Sequence, residues 1–511
     1  MYKIYRIILC AVLKKRSGRT AGIGESGWFA CRDRITAFRR RRREDEARTV
    51  TFQGTEGLIR AKSGLASRTR ICYNGHEQIL RNQRKESIMG TLKIGVMGAG
   101  RGSGLAENFI LQGCRLVAVC DNRPDRLQNA KNRFGEGVVY CGSFGQFIEQ
   151  DLDAVILANF FHEHAPYAIE CLKRGIHVFS ECISNGTIAE GVELIRAAEQ
   201  SSAVYFLAEN YPQMLFNLEM KRVCDGGTLG KVLFAEGEYN HPTAPTDTGF
   251  LKTYNYFEKH WRHYLPRAYY ITHSLGPVMH ITGATPRKVT AFSVFSPLSP
   301  EAATASQVGD AATAILTQND DGSVFRVFGC ARFGAHENSY RICGTNGQIE
   351  NVRGGGNQVL LRYNGWQVPE GLKECQQYEP DWHDRDEELI RSSGHGGGDF
   401  ITARMFLDCI KKGDVPEHPF NVHAAVAMSS VAILAHRSVM NGGQTYEIPD
   451  FHSEDCRKAW ENDRESPFYR EDGTAPTIPC CSHPEYRAAS SQLEHYRSVM
   501  TDGKNTSDEI L

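Results

Sequence analysis

The sequence predicts an α/β fold in two parts, an N-terminal doubly wound parallel sheet and a C-terminal α+β domain built on an open sheet. From Leu92, short β-branched runs alternate with longer amphipathic runs, the pattern of parallel strands joined by helices. After about Leu229 the strand-like runs lengthen and fewer helical patterns separate them, which is typical of a mostly antiparallel sheet. The 511 residues are 41% hydrophobic and 23% charged, a globular composition with room for two or three domains.

The first part reads as alternating strands and helices. Strands are predicted over "LKIGVMGAG", "RLVAVCD", "DAVILAN", "HVFSE" and "AVYFLAEN". Helices are predicted over "LAENFILQG", over a Lys/Arg-rich stretch ending near Gly135, from about Ala165 to Arg174 and from about Ile188 to Glu199. In such a sheet the ligand site lies at the carboxyl ends of the strands, so we expect the site in the cleft between the two parts.

The second part contains longer strand-like runs and two late helices. The strands are "KVLFAEGEYN", "RKVTAFSVFS", "AATAILTQ" and "SVFRVFGCARF". One helix, "DFITARMFLDCIKKG", starts at Asp399, and the apolar helix "HAAVAMSSVAILAHRSVMNG" ends at Gly442. Beyond Pro449 the chain is polar and rich in charge, which indicates a wrapping or loosely ordered tail.

Residues 1–88 differ in charge from the remainder, with 21 Lys and Arg against 8 Asp and Glu. Their apolar stretch "IYRIILCAVL" is too short to span a bilayer. We interpret this segment as a disordered or mistranslated leader before Met89, and a targeting or nucleic-acid-binding arm is the alternative. The predicted domains are the doubly wound N-terminal domain at 89–215, a C-terminal substrate-binding domain at 216–450 and the tail at 451–511.

Charge and cysteine content limit the partners and the compartment. The net charge of −1 indicates no particular partner, and we expect neither a nucleic acid nor a membrane to bind. The 16 cysteines include no CxxC pair, so the sequence predicts neither a zinc site nor a disulfide scaffold. Free thiols suit a cytoplasmic protein without a metal.

A glycine-rich turn predicts a dinucleotide site. Gly98, Gly100 and Gly102 directly follow the first strand and precede a helix, and Asp121 ends the second strand 21 residues after Gly100. Glycines let the backbone approach a pyrophosphate at the helix N-terminus, and the acid hydrogen-bonds a ribose diol. The third glycine of the usual pattern falls on Ser103, with glycines on either side of it. This combination predicts a Rossmann domain.

The acid at position 121 favours NAD as the cofactor. Arg123 lies two residues further along and offers a cation for a 2′-phosphate, so the sequence leaves NADP open as the alternative.

Four segments in order resemble the Gfo/Idh/MocA oxidoreductases, from about Leu92 to about Asp450. They are "LKIGVMGAGRG", "AVCDNRPDRL", "DAVILANFFHEHAPYAIECLKRGIHVFSE" and "LAENYPQM". In that family the fourth strand leads to a loop with a histidine, matched here by His164. A later strand of the family ends in Glu-Lys-Pro, which reads Glu181-Cys182-Ile183 here.

The missing lysine affects the predicted chemistry. In ordinary dehydrogenases of the family, the lysine positions the reacting hydroxyl and helps remove its proton, since hydride leaves more easily from an alkoxide-like carbon. Its absence implies either that another base does this work or that the chemistry differs.

A second segment, "YYITHSLGPVMH", is similar to one branch of the family. His273 stands where the family carries its active-site histidine, but the aspartate usual three residues later is Gly276. Together with "GHGGGDF" at 394–400, this segment resembles the NAD-dependent glycoside hydrolases of family 109, typified by bacterial α-N-acetylgalactosaminidase. Ile271 and Ser274 depart from that branch, which favours proline and glycine there, so the identity of the sugar is not carried over.

The resemblance implies a role for each candidate residue. We expect His273 and Tyr270 to transfer protons, and His395 to contact sugar or cofactor. The segment "YFEKHWRHYLPRAYY" supplies His260 and Arg262 for sugar binding, with an interface stripe as an equal alternative. Residues assigned to the cofactor are Gly98, Gly100, Arg101, Gly102, Asp121, Asn159, His164, Glu181 and Asn210.

The implied function is an NAD-dependent glycosidase for a small carbohydrate. Oxidation of a sugar hydroxyl, most simply at C3, acidifies the C2 proton. The group on C1 then leaves by elimination, water adds and the ketone is reduced again. Two alternatives stay open, a sugar or inositol dehydrogenase that uses His273 as base and a non-catalytic dinucleotide-binding sensor. We expect a homo-oligomer in each case.

Overall fold

A computed structural model of the chain describes residues 91–242, 244, 258–470 and 472–501. The segment interpreted above as a leader, residues 1–88, lies outside the described residues.

The N-terminal domain is a six-stranded parallel sheet in the order β3-β2-β1-β4-β5-β6. The strands are β1 (Lys93–Met97), β2 (Arg115–Cys120), β3 (Val139–Cys141), β4 (Ala154–Leu157), β5 (His177–Ser180) and β6 (Tyr205–Leu207). The helices are α1 (Arg101–Leu111), α2 (Pro124–Phe134), α3 (Phe144–Ile148), α4 (His164–Lys173) and α5 (Ile188–Gln200). The strand order reverses between β1 and β4, which confirms the predicted doubly wound sheet and opens a ligand crevice at its carboxyl edge.

Local sequence explains where these helices begin. Thr187 caps α5 by accepting a hydrogen bond from the amide of Glu190, whose side chain in turn bonds the amide of Thr187, a complete capping box. Pro124 opens α2, where its fixed φ angle suits the first helical turn. The four residues of β4 are all buried, as expected for a strand covered by helices on both faces.

The C-terminal domain is a nine-stranded sheet in the order β14-β13-β12-β11-β7-β10-β9-β8-β15. The strands are β7 (Val232–Asn240), β8 (Pro286–Phe295), β9 (Asp310–Asn319), β10 (Val324–Ala331), β11 (Glu337–Gly344), β12 (Gly347–Asn351), β13 (Val359–Tyr363), β14 (Cys375–Tyr378) and β15 (Tyr446–Glu447). The helices are α6 (Leu215–Asp225), α7 (Thr272–Thr282), α8 (Glu387–Ser392), α9 (Gly398–Lys412) and α10 (Val422–Met440). Neighbouring strands pair antiparallel except β7 with β10, which pair parallel, so the predicted mostly antiparallel sheet is confirmed.

Helix α9 joins the two domains through their cores. Phe406 from α9 lies 5.4 Å from Phe179 of β5, and Phe109 of α1 lies 5.1 Å from the same ring. Edge and tilted contacts of this kind stabilise aromatic clusters beyond their buried area. Because α9 covers one face of the parallel sheet, the turn that precedes α9 lies at the crevice.

The segment after residue 450 packs on both domains. It contains α11 (Glu454–Trp460) and α12 (Ser490–Thr501). Arg470 pairs with Glu190 of the N-terminal domain at 2.6 Å. The amide of Ser482 donates to Asp310 of the C-terminal sheet at 2.9 Å.

Helix α10 is long and apolar enough to span a membrane by length and composition alone. Most of it is buried inside the fold, where it packs against β8 and α5. Its apolar character is thus explained by its place in the core.

Candidate active site

The glycine turn after β1 has no room for side chains on its glycines. Gly98 adopts a φ of 91°, and a Cβ atom there would lie 2.2 Å from the carbonyl oxygen of Ala158. A Cβ atom on Gly102 would lie 2.5 Å from Val96. Gly100 is the N-cap of α1, and a Cβ atom there would lie 2.5 Å from the guanidinium of Arg126. These features fit a bound pyrophosphate.

Asp121, at the end of β2, holds this turn in place. One carboxylate oxygen accepts the amide of Ala99 at 2.8 Å, and the other accepts the amide of Arg123 at 3.0 Å. Burial raises the pKa of Asp121, although both amides oppose that shift. The guanidinium of Arg123 pairs with Asp125. Asp121, which is predicted to accept hydrogen bonds from the ribose, thus also holds the glycine turn in shape.

Arg101, the first residue of α1, is the centre of an ion-pair cluster. Its Nε donates to Glu181 at 2.8 Å, and its two terminal nitrogens donate to the two oxygens of Asp399 at 2.8 and 2.7 Å. Burial alone would lower the pKa of Arg101, but Glu181 and Asp399 raise it overall. The cluster connects α1, the end of β5 and α9 at the crevice.

Two further predicted residues join the same cluster through Asp399. Asn210 donates its side-chain amide to Asp399 at 2.6 Å, and Nδ1 of His395 lies 3.1 Å from the other oxygen. Burial would raise the pKa of Asp399, but His395 and Arg101 hold it far below its usual range. The structure therefore brings Arg101, Glu181, Asn210 and His395 together around an acid that was not among the predicted residues.

The glycines beside His395 serve close packing of the protein itself. A Cβ atom on Gly398 would lie 2.5 Å from the carbonyl oxygen of Asn210, and one on Gly397 would lie 2.3 Å from Ile390. His395 itself has a φ of 54°, in the left-handed region. The turn thus places His395 beside the Arg101 cluster.

His273, the third residue after Tyr270, is the second focus of the site. Its Nδ1 lies 2.8 and 3.1 Å from the two carboxylate oxygens of Glu209, the second residue after β6. The side chain of His273 is 12% exposed, whereas that of Glu209 is 0% exposed. A buried carboxylate needs such a partner, and the pair is therefore a well-defined dyad.

Aromatic rings surround the His273 imidazole. Tyr211 stacks on it with ring centroids 4.0 Å apart, and Tyr239 and Tyr270 present edge contacts at 5.0 and 5.4 Å. Burial raises the pKa of Tyr270 despite the opposing effect of Arg262 nearby, so this phenol keeps its proton. The predicted pair of His273 and Tyr270 is thus brought together, with two tyrosines that were not predicted.

Two other predicted cofactor residues lie between the end of β4 and the first turn of α4. The side-chain nitrogen of Asn159 donates to the carbonyl of Glu163 at 3.2 Å, and its buried oxygen has no partner within the described residues. That buried acceptor fits a donor from a bound cofactor. His164 is 1% exposed and its Nδ1 lies 2.9 Å from the carbonyl of Ile183, so it braces the segment after Glu181.

The two residues predicted to bind sugar have different surroundings. His260 is buried against Phe160, with ring centroids 5.2 Å apart, and burial with nearby Arg262 lowers the pKa of His260 to about 2. The guanidinium of Arg262 lies 4.4 Å from the ring centroid of Trp261, which stacks on Phe161. Arg262 is therefore the more accessible of the two to a substrate near Tyr270.

Sequence reasoning missed Glu209, Tyr211 and Tyr239, and it matched Asp399 only as part of the segment at 394–400, without a role. Glu209 and Tyr211 stand in the quoted run "LAENYPQM", two and four residues after β6, and that position was a usable signal. Within the part of the chain that the structure describes, no group of three or more His, Cys, Asp and Glu residues has an arrangement that could hold a metal ion.

Comparisons with known proteins agree with this geometry. Residues 92–209 match the family model described as an oxidoreductase family with an NAD-binding Rossmann fold, Gfo/Idh/MocA. Residues 214–461 match the model of the glycosyl hydrolase 109 C-terminal domain. The chain thus joins an N-terminal domain of the Gfo/Idh/MocA oxidoreductase type, which is an NAD-binding Rossmann domain, to a C-terminal domain of the glycosyl hydrolase 109 type. The protein is an NAD-dependent enzyme of this kind.

Two relatives illustrate the glycosyl hydrolase 109 likeness. A glycosyl hydrolase family 109 protein of Shewanella sp. (strain W3-18-1) is 26% identical over 416 residues, covering 73% of this chain and 87% of the relative. An alpha-N-acetylgalactosaminidase of Shewanella oneidensis is 26% identical over 414 residues, with the same coverage.

Two solved structures share the fold. A levoglucosan dehydrogenase in complex with NADH and L-sorbose has a TM-score of 0.58 at 16% identity, covering 71% of this chain and 100% of that structure. An aldose-aldose oxidoreductase from Caulobacter crescentus has a TM-score of 0.52 at 16% identity, covering 70% and 99%.

Proposed function

We propose that this protein is an NAD-dependent glycosidase that cleaves a small glycoside by transient oxidation at C3, elimination, hydration and reduction. The observation that carries the proposal is the buried dyad of His273 and Glu209 beside Cys182, where ordinary dehydrogenases of the family carry a lysine. The 109-type C-terminal domain supports the same reaction class.

The residues at the carboxyl edge of the sheet form the cofactor site. Gly98 and Gly102 leave room for the phosphates, Asp121 faces the ribose, and Asn159 offers an acceptor. Bound there, NAD⁺ supplies a reversible hydride acceptor for the sugar C3–H. The Arg101 cluster closes the crevice between α1 and α9.

His273 provides the base for the sugar. With Nδ1 bonded to Glu209, its Nε2 has the lone pair that accepts the C3 hydroxyl proton as the hydride leaves C3 and, once that proton has passed to solvent, accepts the C2 proton. The C3 ketone makes the C2 proton acidic enough for an imidazole to remove. Tyr270, whose pKa burial raises, stays protonated and donates to the departing C1 oxygen.

The cycle balances as a hydrolysis. Removal of the C2 proton and loss of the C1 group leave a C1–C2 double bond conjugated to the C3 ketone. Water adds its hydroxyl to C1 and a proton returns to C2, after which C3 regains its hydride and its hydroxyl proton. The net reaction consumes one water and leaves the cofactor oxidised. Arg262 and His395 hold the remaining sugar hydroxyls in this proposal.

A screen of aryl glycosides with the purified protein tests the proposal, with bound cofactor identified by mass. We expect aryl alcohol release that is lost when NAD⁺ is stripped, restored when NAD⁺ is added, and accompanied by no accumulation of NADH. His273→Ala should lower turnover about 10²-fold or more, the usual effect of losing a positioned base. His383→Ala is the matched control, because that side chain is 81% exposed on the surface.

A sugar dehydrogenase is the second candidate, favoured by the fold likeness to levoglucosan dehydrogenase and by a dyad that also suits direct alcohol oxidation. Stoichiometric NADH formation from a free sugar, without release of aryl alcohol from any glycoside, would establish it instead.

A further inference from the structure

We propose that Glu209 is a positioning residue that fixes the orientation and tautomer of His273, and that Cys182 and Gly276 are small because the Glu209 side chain occupies the space beside them. The proposal rests on the function proposed above and names a residue for the same site.

The geometry around His273 leaves one nitrogen for chemistry. Both oxygens of Glu209 lie within 3.1 Å of Nδ1, so this nitrogen carries the ring hydrogen and Nε2 keeps its lone pair. Stacking on Tyr211 fixes the plane of the ring, and the hydroxyl of Tyr340 donates to the His273 carbonyl at 2.5 Å, which holds its backbone. An imidazole oriented through a buried acid is the arrangement that general-base catalysis uses in other enzymes.

Other contacts keep the Glu209 carboxylate in place. Its oxygens accept the amide of Tyr211 at 3.2 Å and the thiol of Cys182 at 3.1 Å. Burial alone would raise the pKa of Glu209, but His273 together with hydrogen bonds from Cys182 and Thr272 lowers that pKa overall, so the carboxylate stays ionised. Burial and Glu209 raise the pKa of Cys182, which therefore remains a thiol that donates a hydrogen bond.

Gly276 provides the space that Glu209 occupies. A Cβ atom at position 276 would lie 2.8 Å from Cγ of Glu209 and 3.5 Å from the end of Met428. Any larger residue at position 276 would displace the Glu209 side chain from its position. The residues at 182, 209 and 276 are therefore one coupled set, assembled from β5, β6 and α7.

Two substitutions at Glu209 test the role by kinetics. Glu209→Gln preserves the shape and removes the charge, and we expect kcat to fall by about 10²-fold or more with KM changed less than about threefold. Bound NAD and the melting temperature should stay close to those of the unaltered protein. A kcat within about threefold of the unaltered value would overturn the proposal.

A double variant gives an independent test, because it restores the carboxylate from a different element. Glu209→Ala with Gly276→Asp supplies a carboxylate from α7 in the space that Glu209 vacates. We expect this double variant to recover at least about tenfold of the kcat lost in Glu209→Ala. A double variant that folds and binds NAD but recovers no activity would count against a positioning role.

A spectroscopic readout separates this proposal from the proposed function. Nitrogen NMR of isotope-labelled histidine, with the His273 signals assigned by their loss in His273→Ala, reports which ring nitrogen carries the hydrogen. We expect the Nδ1–H form in the unaltered protein and its loss in Glu209→Ala, with the exposed His383 signals unchanged. If no glycoside is turned over, the proposed function fails while this readout still decides the role of Glu209. An unchanged tautomer in Glu209→Ala would refute it.

Discussion

At the scale of single residues, the small side chain of Cys182 leaves the Glu209 carboxylate in place to pair with His273. Its thiol lies 3.1 Å from the buried carboxylate of Glu209, which in turn bonds His273. Glu181, the preceding residue, is directed the other way, toward Arg101 at 2.8 Å. Two adjacent positions after β5 thus serve two different clusters, one for the cofactor crevice and one for the proposed base.

Cys182→Lys should not improve glycoside cleavage. The ammonium group would reach Glu209 in a buried setting and pair with it, which would withdraw the carboxylate from His273. We expect kcat to fall at least about tenfold. Cys182→Ser, which keeps a small hydrogen-bond donor, should retain activity within about threefold. Faster glycoside cleavage by the lysine variant would contradict the account.

Asp121→Ala should weaken NAD binding. The carboxylate accepts the amides of Ala99 and Arg123, and in the bound state we expect it also to accept ribose hydroxyls. The loss should be about 1 to 3 kcal/mol, since hydrogen bonds to charged acceptors are worth more than neutral ones. Calorimetric titration measures it, with Asp125→Ala as the control. Equal affinities of both variants would place Asp121 outside the cofactor site.

At the scale of elements, the sequence predicted those strands, turns and helices that have a clear local pattern of residues. Strands β1 and β2 and the glycine turn were readable because an apolar run, a turn and an acid occur within about one βαβ unit. The three-residue β3 and the strands β11 to β14 were not predicted, because short runs carry little periodicity. The Arg101–Asp399 contact joins residues 298 positions apart, a distance at which a single sequence gives no pairing signal.

Gly98→Ala should disrupt the glycine turn. The added Cβ would lie 2.2 Å from the carbonyl oxygen of Ala158, and the φ of 91° is unfavourable for alanine. We expect a lower melting temperature and NAD affinity reduced at least about tenfold, a change of about 1.4 kcal/mol. The control is Gly104→Ala, because a Cβ there meets nothing within 4 Å and alanine favours the α1 helix. Similar behaviour of the two variants would rule out the close approach at Gly98.

At the scale of the whole molecule, the protein buries several neutral histidines in its cores and under the segment after residue 450. Burial lowers the pKa of His162 to about 3 and those of His280 and His436 to about 4. His162 and His436 contact carbonyls of that segment, at Tyr469 and Pro479. The folded protein therefore keeps these histidines neutral at pH values at which the unfolded chain would protonate them.

The free energy of unfolding should fall as pH decreases from about 6.5 toward 4. Unfolded histidines bind a proton near pH 6.5, whereas the buried ones resist it until about pH 4, so acid favours the unfolded chain. Each such histidine contributes up to about 1.4 kcal/mol per pH unit in this window. Urea titrations at several pH values measure the slope, which His280→Gln should reduce and His383→Gln should not. A slope unaffected by His280→Gln would contradict this coupling.

The central claim is that oxidation at C3 serves to acidify C2 of the sugar, with His273 removing the proton. Turnover of a cleavable aryl glycoside in heavy water tests it directly, by NMR and mass analysis of the released sugar. The account predicts deuterium at C2, a requirement for NAD⁺ and no accumulated NADH. Cleavage that proceeds without the cofactor, or a released sugar that carries no deuterium at C2, would contradict it.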